Sequence, residues 1–278
     1  MINWNARRRK ELCKKTPGLW QCLPGHGSFP PPFCPIGAKP ELPRHRRIRS
    51  LLTFGIDARQ TCVSMPAVHS HTPGQNRTKE FGKVNLLGKV PALKDGDFTL
   101  AESIAILLYL ARKFKTPDHW YPSDLQKRAR VDEYLSWQHM ATRMCGTKLY
   151  LAKALLPLFL GHPVPPEKIE EALESLKETL KLFEEKFLQD RPFIAGTEIS
   201  LADLVAIVEI MQPVSAGYDV FEGRPKLAAW RSRVEEAVGK DLFTEAHREL
   251  SKAKDVTEDQ LPPEMREQIK QHLLKYMK

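Results

Sequence analysis

Proline limits what the first quarter of this chain can become. Ten of the 22 prolines fall within the first 75 of 278 residues. Each fixes φ, removes a backbone donor and restricts the residue before it. Pro17, Pro24, Pro30, Pro31, Pro32, Pro35, Pro40 and Pro43 interrupt any regular element before it can grow, and no helical or alternating apolar period persists there. Only Ser50–Asp57 (SLLTFGID) reads as a short strand, and Gly55 interrupts it. The same stretch holds 12 Lys/Arg against 3 Asp/Glu, so the whole formal charge of +9 sits in it, while residues 76–278 balance at 31 of each sign. The expectation is a composite: a basic, irregular leader over residues 1–75 and a charge-balanced globular body behind it.

The leader's chemistry reads as bland. Arg7, Arg8, Arg9 and Lys10, with the RHRRIR cluster at 44–49, could contact phosphate backbones or serve as a nuclear address. Sparse aromatic interleaving favours a solvated tail, so nucleic acid is not an expected partner. Cys13, Cys22, Cys34 and Cys62 are separated by eight, eleven and 27 residues and contain no CxxC pair, which argues against a zinc site. An odd total of 5 cysteines argues against a disulfide framework. No apolar run approaches the ~18–20 residues that span a bilayer. The opening MINWNARRRK also lacks the apolar stretch of a secretory signal. The expected location is cytoplasmic, with no membrane partner.

Periodicity becomes legible in the body. In KVPALKDGDFTL (89–100), Asp95-Gly96 between two short runs predicts a hairpin with a type I′ turn. AESIAILLYLARKF (101–114) predicts a helix with Ile104, Leu107, Leu108 and Ala111 on one face. Everything after it reads as helical. Ser123 and Gln126 form a capping box that opens a long helix from Asp124 to about Leu155. Pro165 and Pro166 open another, with Ile169, Leu173, Leu176, Leu180, Phe183 and Phe187 as its apolar stripe. In EISLADLVAI, Ser200 and Asp203 form a second box with Ile199 stapled to Leu204, and this helix should stop just before Pro213. Pro225 starts a helix with Leu227, Trp230 and Val234 inward and Gly239 past its end. Two more follow, at about Leu242–Lys254 and from Glu264, the last with Met265, Ile269, Leu273 and Met277 on one face.

KVPALKDGDFTLAESIAILLYL resembles the second half of the glutathione-binding domain of cytosolic glutathione S-transferases. DHWYPSDLQKRARVDEYLSWQH, FIAGTEISLADLVAIVEIMQPV and VFEGRPKLAAWRSRVEEAVG resemble the theta class in particular. The likeness covers about residues 76–278. It implies an α+β chain: a truncated thioredoxin-like N-terminal domain over 76–116, followed by an all-helical C-terminal domain over 123–278.

The resemblance also implies a site. Val90-Pro91 resembles the family's cis-proline turn, whose exposed backbone pairs with the cysteinyl backbone of glutathione as an added strand would. By residue type alone an ordinary trans bond at a strand start is the common case. Glu102 and Ser103 stand at a helix N-terminus suited to the γ-glutamyl carboxylate, with Glu102 near its amino group, although Ser103 could simply cap the helix. Lys89 could meet the glycine carboxylate, and Asn76 and Arg77 fall where the family places another glutathione contact. Met140, Ala141, Thr142 and Arg143 lie where family members line the electrophile pocket, and Arg143 could hold an anion or stand solvated. Asp203 is implied as a folding determinant.

The implied reaction adds the glutathione thiolate to small electrophiles in a homodimer, with glutathione as co-substrate and no metal or other cofactor. The departure lies ahead of Asn76. The theta class keeps a catalytic serine just after its first strand, where it stabilises the thiolate. Ser50, Ser64 and Ser70 match no such context, so the catalytic residue is unknown. The alternative is a catalytically inactive binding or scaffold protein of the same fold.

Overall fold

A computed structural model of the protein describes residues 67–68, 76 and 78–251. The strand read at Ser50–Asp57, the basic clusters, the leader cysteines, Arg77 and the helix from Glu264 lie outside the described residues.

A three-stranded antiparallel sheet in the order β1-β2-β3 comprises β1 (Ala67–Val68), β2 (Ala92–Asp95) and β3 (Phe98–Ala101). Between β1 and β2 lies a short helix, α1 (Lys79–Gly82), capped by the Thr78 hydroxyl, which accepts from the Phe81 N–H at 3.2 Å. The predicted hairpin is present, with its turn one residue later than expected. Asp95 pairs with Phe98, so the loop is Gly96-Asp97. Only Gly96 of the two has positive φ (62°), the type II′ pattern rather than I′. Asp95 stays in the strand because its carboxylate accepts from the Tyr109 hydroxyl and from Lys113 Nζ on the following helix. Strand β1, which pairs Ala67 with Leu93 and Val68 with Ala92, has no counterpart in the sequence reading.

Helix α2 (Ser103–Lys113) buries two faces rather than one. Ile106 and Leu110 pack with Leu93 of the sheet, while Leu107 and Ala111 belong to the main helical core. Ile104 and Leu108, expected on the inward face, are only partly buried against that core.

The long helix expected from Asp124 to Leu155 is broken. Asp124, not the Ser123/Gln126 box, caps α3 (Leu125–Trp137), accepting from the Lys127 N–H at 2.9 Å. The Ser123 N–H donates to Asp118 Oδ1 instead. After Trp137 the backbone leaves helical geometry, reaching φ −119° and ψ −99° at Ala141, and the buried Gln138 carbonyl accepts from the Arg143 N–H at 3.0 Å. Helix α4 (Thr142–Tyr150) then continues through a π-helical segment, Leu151–Leu155, into α5 (Leu156–Leu160).

Helix α6 (Pro166–Leu182) and its π-helical extension Phe183–Leu188 bury Leu176, Leu180, Phe183 and Phe187, as the stripe predicts, with Ile169 and Leu173 half-buried. Helix α7 (Leu201–Ser215) opens on the predicted Ser200/Asp203 box but runs through Pro213. A proline at that position removes the bond to the Glu209 carbonyl and crowds that oxygen with its ring. Gly146 of α4 closes on that carbonyl, and a Cβ at 146 would stand 3.0 Å from the oxygen. Helix α8 (Pro225–Val238) buries Leu227, Trp230 and Val234 and ends at Gly239 with φ 94°; α9 (Lys240–Ser251) begins two residues earlier than expected. The Asp203 carboxylate accepts from the Ser200 N–H and hydroxyl, the Ile194 N–H and Trp230 Nε1, all within 3.0 Å. Burial pushes its pKa up against those four donors.

Candidate functional site

The hairpin register builds the site. Ala92 pairs with Ala101, so Val90-Pro91 just before β2 and Glu102-Ser103 just after β3 meet at the same end of the hairpin. The Val90-Pro91 peptide is cis. Val90 is 49% exposed, and among the described residues neither its N–H nor its C=O makes a hydrogen bond. That backbone is open to an extended partner.

Asn85, which the sequence reading missed, shapes the approach. It is buried, its Nδ2 donates to the Lys89 carbonyl at 2.7 Å, and its Oδ1 accepts from the Leu87 N–H at 3.0 Å. An Asn followed by two leucines and a positive-φ glycine carries the Asx-turn signal that would have found it. Asn76 donates to the Gly88 carbonyl at 2.5 Å, so its amide supports this loop. The Lys89 side chain is exposed.

Glu102 precedes the first residue of α2 with φ 67° and ψ 116°. A non-glycine residue held there costs ~1–3 kcal/mol, and such strain concentrates where geometry serves a ligand. Its side chain makes no capping bond and is exposed. The helix N-terminus beside it therefore presents N–H groups and a positive dipole end that no side chain of its own satisfies.

Arg143 reaches this end from α4. Its Nη2 donates to Ser103 Oγ at 3.4 Å, its Nε to Glu209 Oε1 at 2.9 Å, and its Nη1 lies 3.3 Å from His139 Nδ1. A guanidinium has only donors, so Nδ1 accepts. Burial, and then the Arg143 charge, push the His139 pKa below its ordinary value, against the Glu102 and Glu209 carboxylates. The structure thus brings Glu102, Ser103 and Arg143 together, with His139 and Glu209 as members the sequence did not reveal.

The other residues placed in the electrophile pocket separate. Met140 is 71% exposed, whereas Ala141 and Thr142 are buried. Thr142 Oγ1 lies 3.3 Å from the Tyr134 hydroxyl inside the core, so it does not line an open pocket. The helix break is the cause, because it turns the start of α4 inward. Met144, one turn on, is 47% exposed and joins Met140 at the surface.

Chemically, the hairpin end offers a free backbone edge, a helix N-terminus with a hydroxyl and a guanidinium for a carboxylate, and a carboxylate for an ammonium group. That set suits a short peptide with an amino-acid end. Among the described residues no cluster of His, Cys, Asp or Glu could hold a metal ion. Cys145 is buried, with the Thr179 hydroxyl 3.4 Å from its sulfur. A concavity of about 870 Å³ exists elsewhere, lined by Glu184, Asp190, Glu222, Arg224 and Lys226 among others, and contains none of the site residues.

Two family models match the chain: the glutathione S-transferase N-terminal domain over residues 43–112 and the glutathione S-transferase C-terminal domain over residues 147–237. The first begins ahead of Asn76, inside the basic, proline-rich stretch. Chicken glutathione S-transferase theta-1 is 57% identical over 205 residues, 74% of this chain and 78% of the relative. The apo structure of human glutathione S-transferase T1-1 superimposes with a TM-score of 0.70 at 55% identity, covering 74% of this chain and 85% of the other. A human theta-class transferase in complex with the glutathione conjugate of 1-menaphthyl sulfate gives 0.66 at 48% identity, covering 72% and 84%.

Proposed function

The chain belongs to the theta class of the glutathione S-transferase family, and from that premise we propose that it binds reduced glutathione and adds its thiolate to small electrophiles. The observation that carries the reading is the strained Glu102 beside Ser103, set opposite the open backbone of Val90. The γ-glutamyl carboxylate sits at the N-terminus of α2 against the Ser103 hydroxyl, which Arg143 backs, and its ammonium meets Glu102. The cysteinyl backbone pairs with Val90, and Lys89 meets the glycine carboxylate. Asn76 and Arg77, the latter outside the described residues, add a further contact to glutathione. Met140 and Arg143 border the electrophile, which needs no metal or further cofactor.

Calorimetric titration with glutathione tests this. Saturable binding that weakens about tenfold in Ser103→Ala is expected, together with thiol addition to a panel of small electrophiles. No heat of binding in the wild type would overturn the reading.

A second reading, a binding or scaffold protein without turnover, is favoured by the sequence ahead of Asn76, where no serine stands between a strand pattern and a helix pattern. Binding without any rate above the uncatalysed reaction would select it. The division into a leader over 1–75, a partial glutathione-binding domain over 76–116 and a helical domain over 123–278 belongs to the same proposal. So do a leader unrelated to the family, a homodimer and a cytoplasmic location. The N-terminal domain model, matching from residue 43, runs into that leader and weighs against a boundary as late as 75. No helix among the described residues is long and apolar enough to cross a membrane.

A further inference from the structure

A serine hydroxyl has one hydrogen and two lone pairs, and at a helix start it can turn back to cap an N–H as readily as face a ligand. At Ser103 the choice is constrained. Arg143 can only donate, so its 3.4 Å contact occupies a Ser103 lone pair and leaves the hydroxyl hydrogen for an outside acceptor.

Arg143 is itself held. Its Nε–H goes to Glu209 Oε1 at 2.9 Å, Glu209 Oε2 accepts from Gln212 Nε2 at 2.5 Å, and Gln212 Oε1 accepts from Thr147 Oγ1 at 3.0 Å. Glu209 is only 6% exposed on a largely apolar helix. A buried ion pair is a weak device for stability, since desolvation offsets most of the attraction. Its use here is geometric: α4 and α7 close tightly at Gly146, and the bonds from Thr147 through Gln212 and Glu209 hold the Arg143 guanidinium beside Ser103.

We propose that Glu209 is a positioning residue of the glutathione site, acting through Arg143 to keep the Ser103 hydroxyl hydrogen turned toward the ligand carboxylate. This rests on the glutathione-binding reading above.

A double-mutant cycle on the full chain tests it, with glutathione affinity measured by calorimetry for wild type, Ser103→Ala, the near-isosteric Glu209→Gln, and both together. Each single change is expected to weaken binding about tenfold, and the pair no more than either one, because both remove the same oriented hydrogen. A loss of about a hundredfold in the pair overturns the proposal while leaving the functional reading intact. So does unchanged affinity in Glu209→Gln with a lowered melting temperature, the signature of a merely structural role. A wild type without glutathione affinity overturns both. A ligand-free readout accompanies the cycle: in protein labelled with nitrogen-15 arginine, the Arg143 Nε–H should exchange at least about tenfold faster in Glu209→Gln. Equal rates would show that Glu209 does not hold Arg143 and would overturn the proposal.

Discussion

Trp230 donates its indole N–H to the Asp203 carboxylate across 2.9 Å, joining two fully buried side chains 27 residues apart. The same carboxylate holds the Ile194 N–H and both donors of Ser200, so one side chain fixes the start of α7, the loop before it and α8. Asp203→Ala would strand four buried donors and should cost roughly 3–5 kcal/mol. Trp230→Phe strands none but loses one bond and some packing, and should cost about half as much. Urea midpoints of the two variants check the order, and equal costs would refute it.

Glu102 carries its Cβ at φ 67°, where only glycine is free of the clash. Glu102→Gly should therefore be more stable than Glu102→Ala by about 1 kcal/mol, although both lose the carboxylate. Glutathione affinity should fall by about tenfold in each. Thermal melts beside calorimetry separate the two effects. A glycine variant no more stable than the alanine variant would mean that the backbone there is unstrained.

His139 predicts a pH dependence with a definite sign. Burial and Arg143 lower its folded pKa, so as pH falls the unfolded chain takes up the proton first, near its ordinary ~6.5. Its contribution to stability is complete above that pH and is lost as pH falls through 6.5 toward the lower folded value. His247, buried on α9 with its pKa also pushed down by burial, acts with the same sign. His139→Gln keeps an acceptor for Arg143 and should reduce the stability lost between about pH 7.5 and 5.5 without abolishing it. Urea titrations at the two pH values give the comparison, and an identical loss in the variant would remove His139 from the account.

Gly146 and Gly82 should respond in opposite ways to the same substitution. A Cβ at 146 would meet the Glu209 carbonyl oxygen at 3.0 Å and Pro213 Cδ at 3.5 Å, whereas at 82 it would meet nothing within 4 Å. Gly146→Ala should cost roughly 1–3 kcal/mol despite alanine's better helix propensity, and Gly82→Ala should be neutral or stabilising. Melting temperatures of the two variants decide it.

Local chemistry was readable where partners lie within one or two turns. The Ser200/Asp203 box, the α6 stripe and the Pro225 and Gly239 boundaries depend on neighbours three or four residues away, and the structure has them in place. The turn register was not readable, because Asp95 is held by Tyr109 and Lys113, fourteen and eighteen residues on. The passage of α7 through Pro213 leaves the Glu209 carbonyl facing Gly146, a contact between helices far apart in sequence. The site divides in the same way. Glu102 and Ser103 could be placed at a helix start from sequence, but Glu209 lies 66 residues from Arg143 and, read alone, would pass for a solvated helix glutamate. Thr142 lies buried beside Tyr134 because the backbone leaves helical geometry at Ala141, a break that no Gly or Pro announces in the sequence.

Helix α2, dry on one side against Leu93 and on the other against the helical core, governs where this chain can be cut and rejoined with a relative. A crossover inside Ser103–Lys113 would pair one parent's Ile106 and Leu110 with the other's sheet, or one parent's Leu107 and Ala111 with the other's helices, so at least one seam would inherit mismatched shapes. A joint at Lys115–Pro117, where Lys115 has already left helical geometry with φ 48°, keeps Ile106 and Leu110 with their own sheet but sets Leu107 and Ala111 against the other parent's helices. Chimeras joined there should keep the sheet-side core whole and carry any mismatch in the helical core, whereas those joined just before Ser103 should carry it beside the sheet.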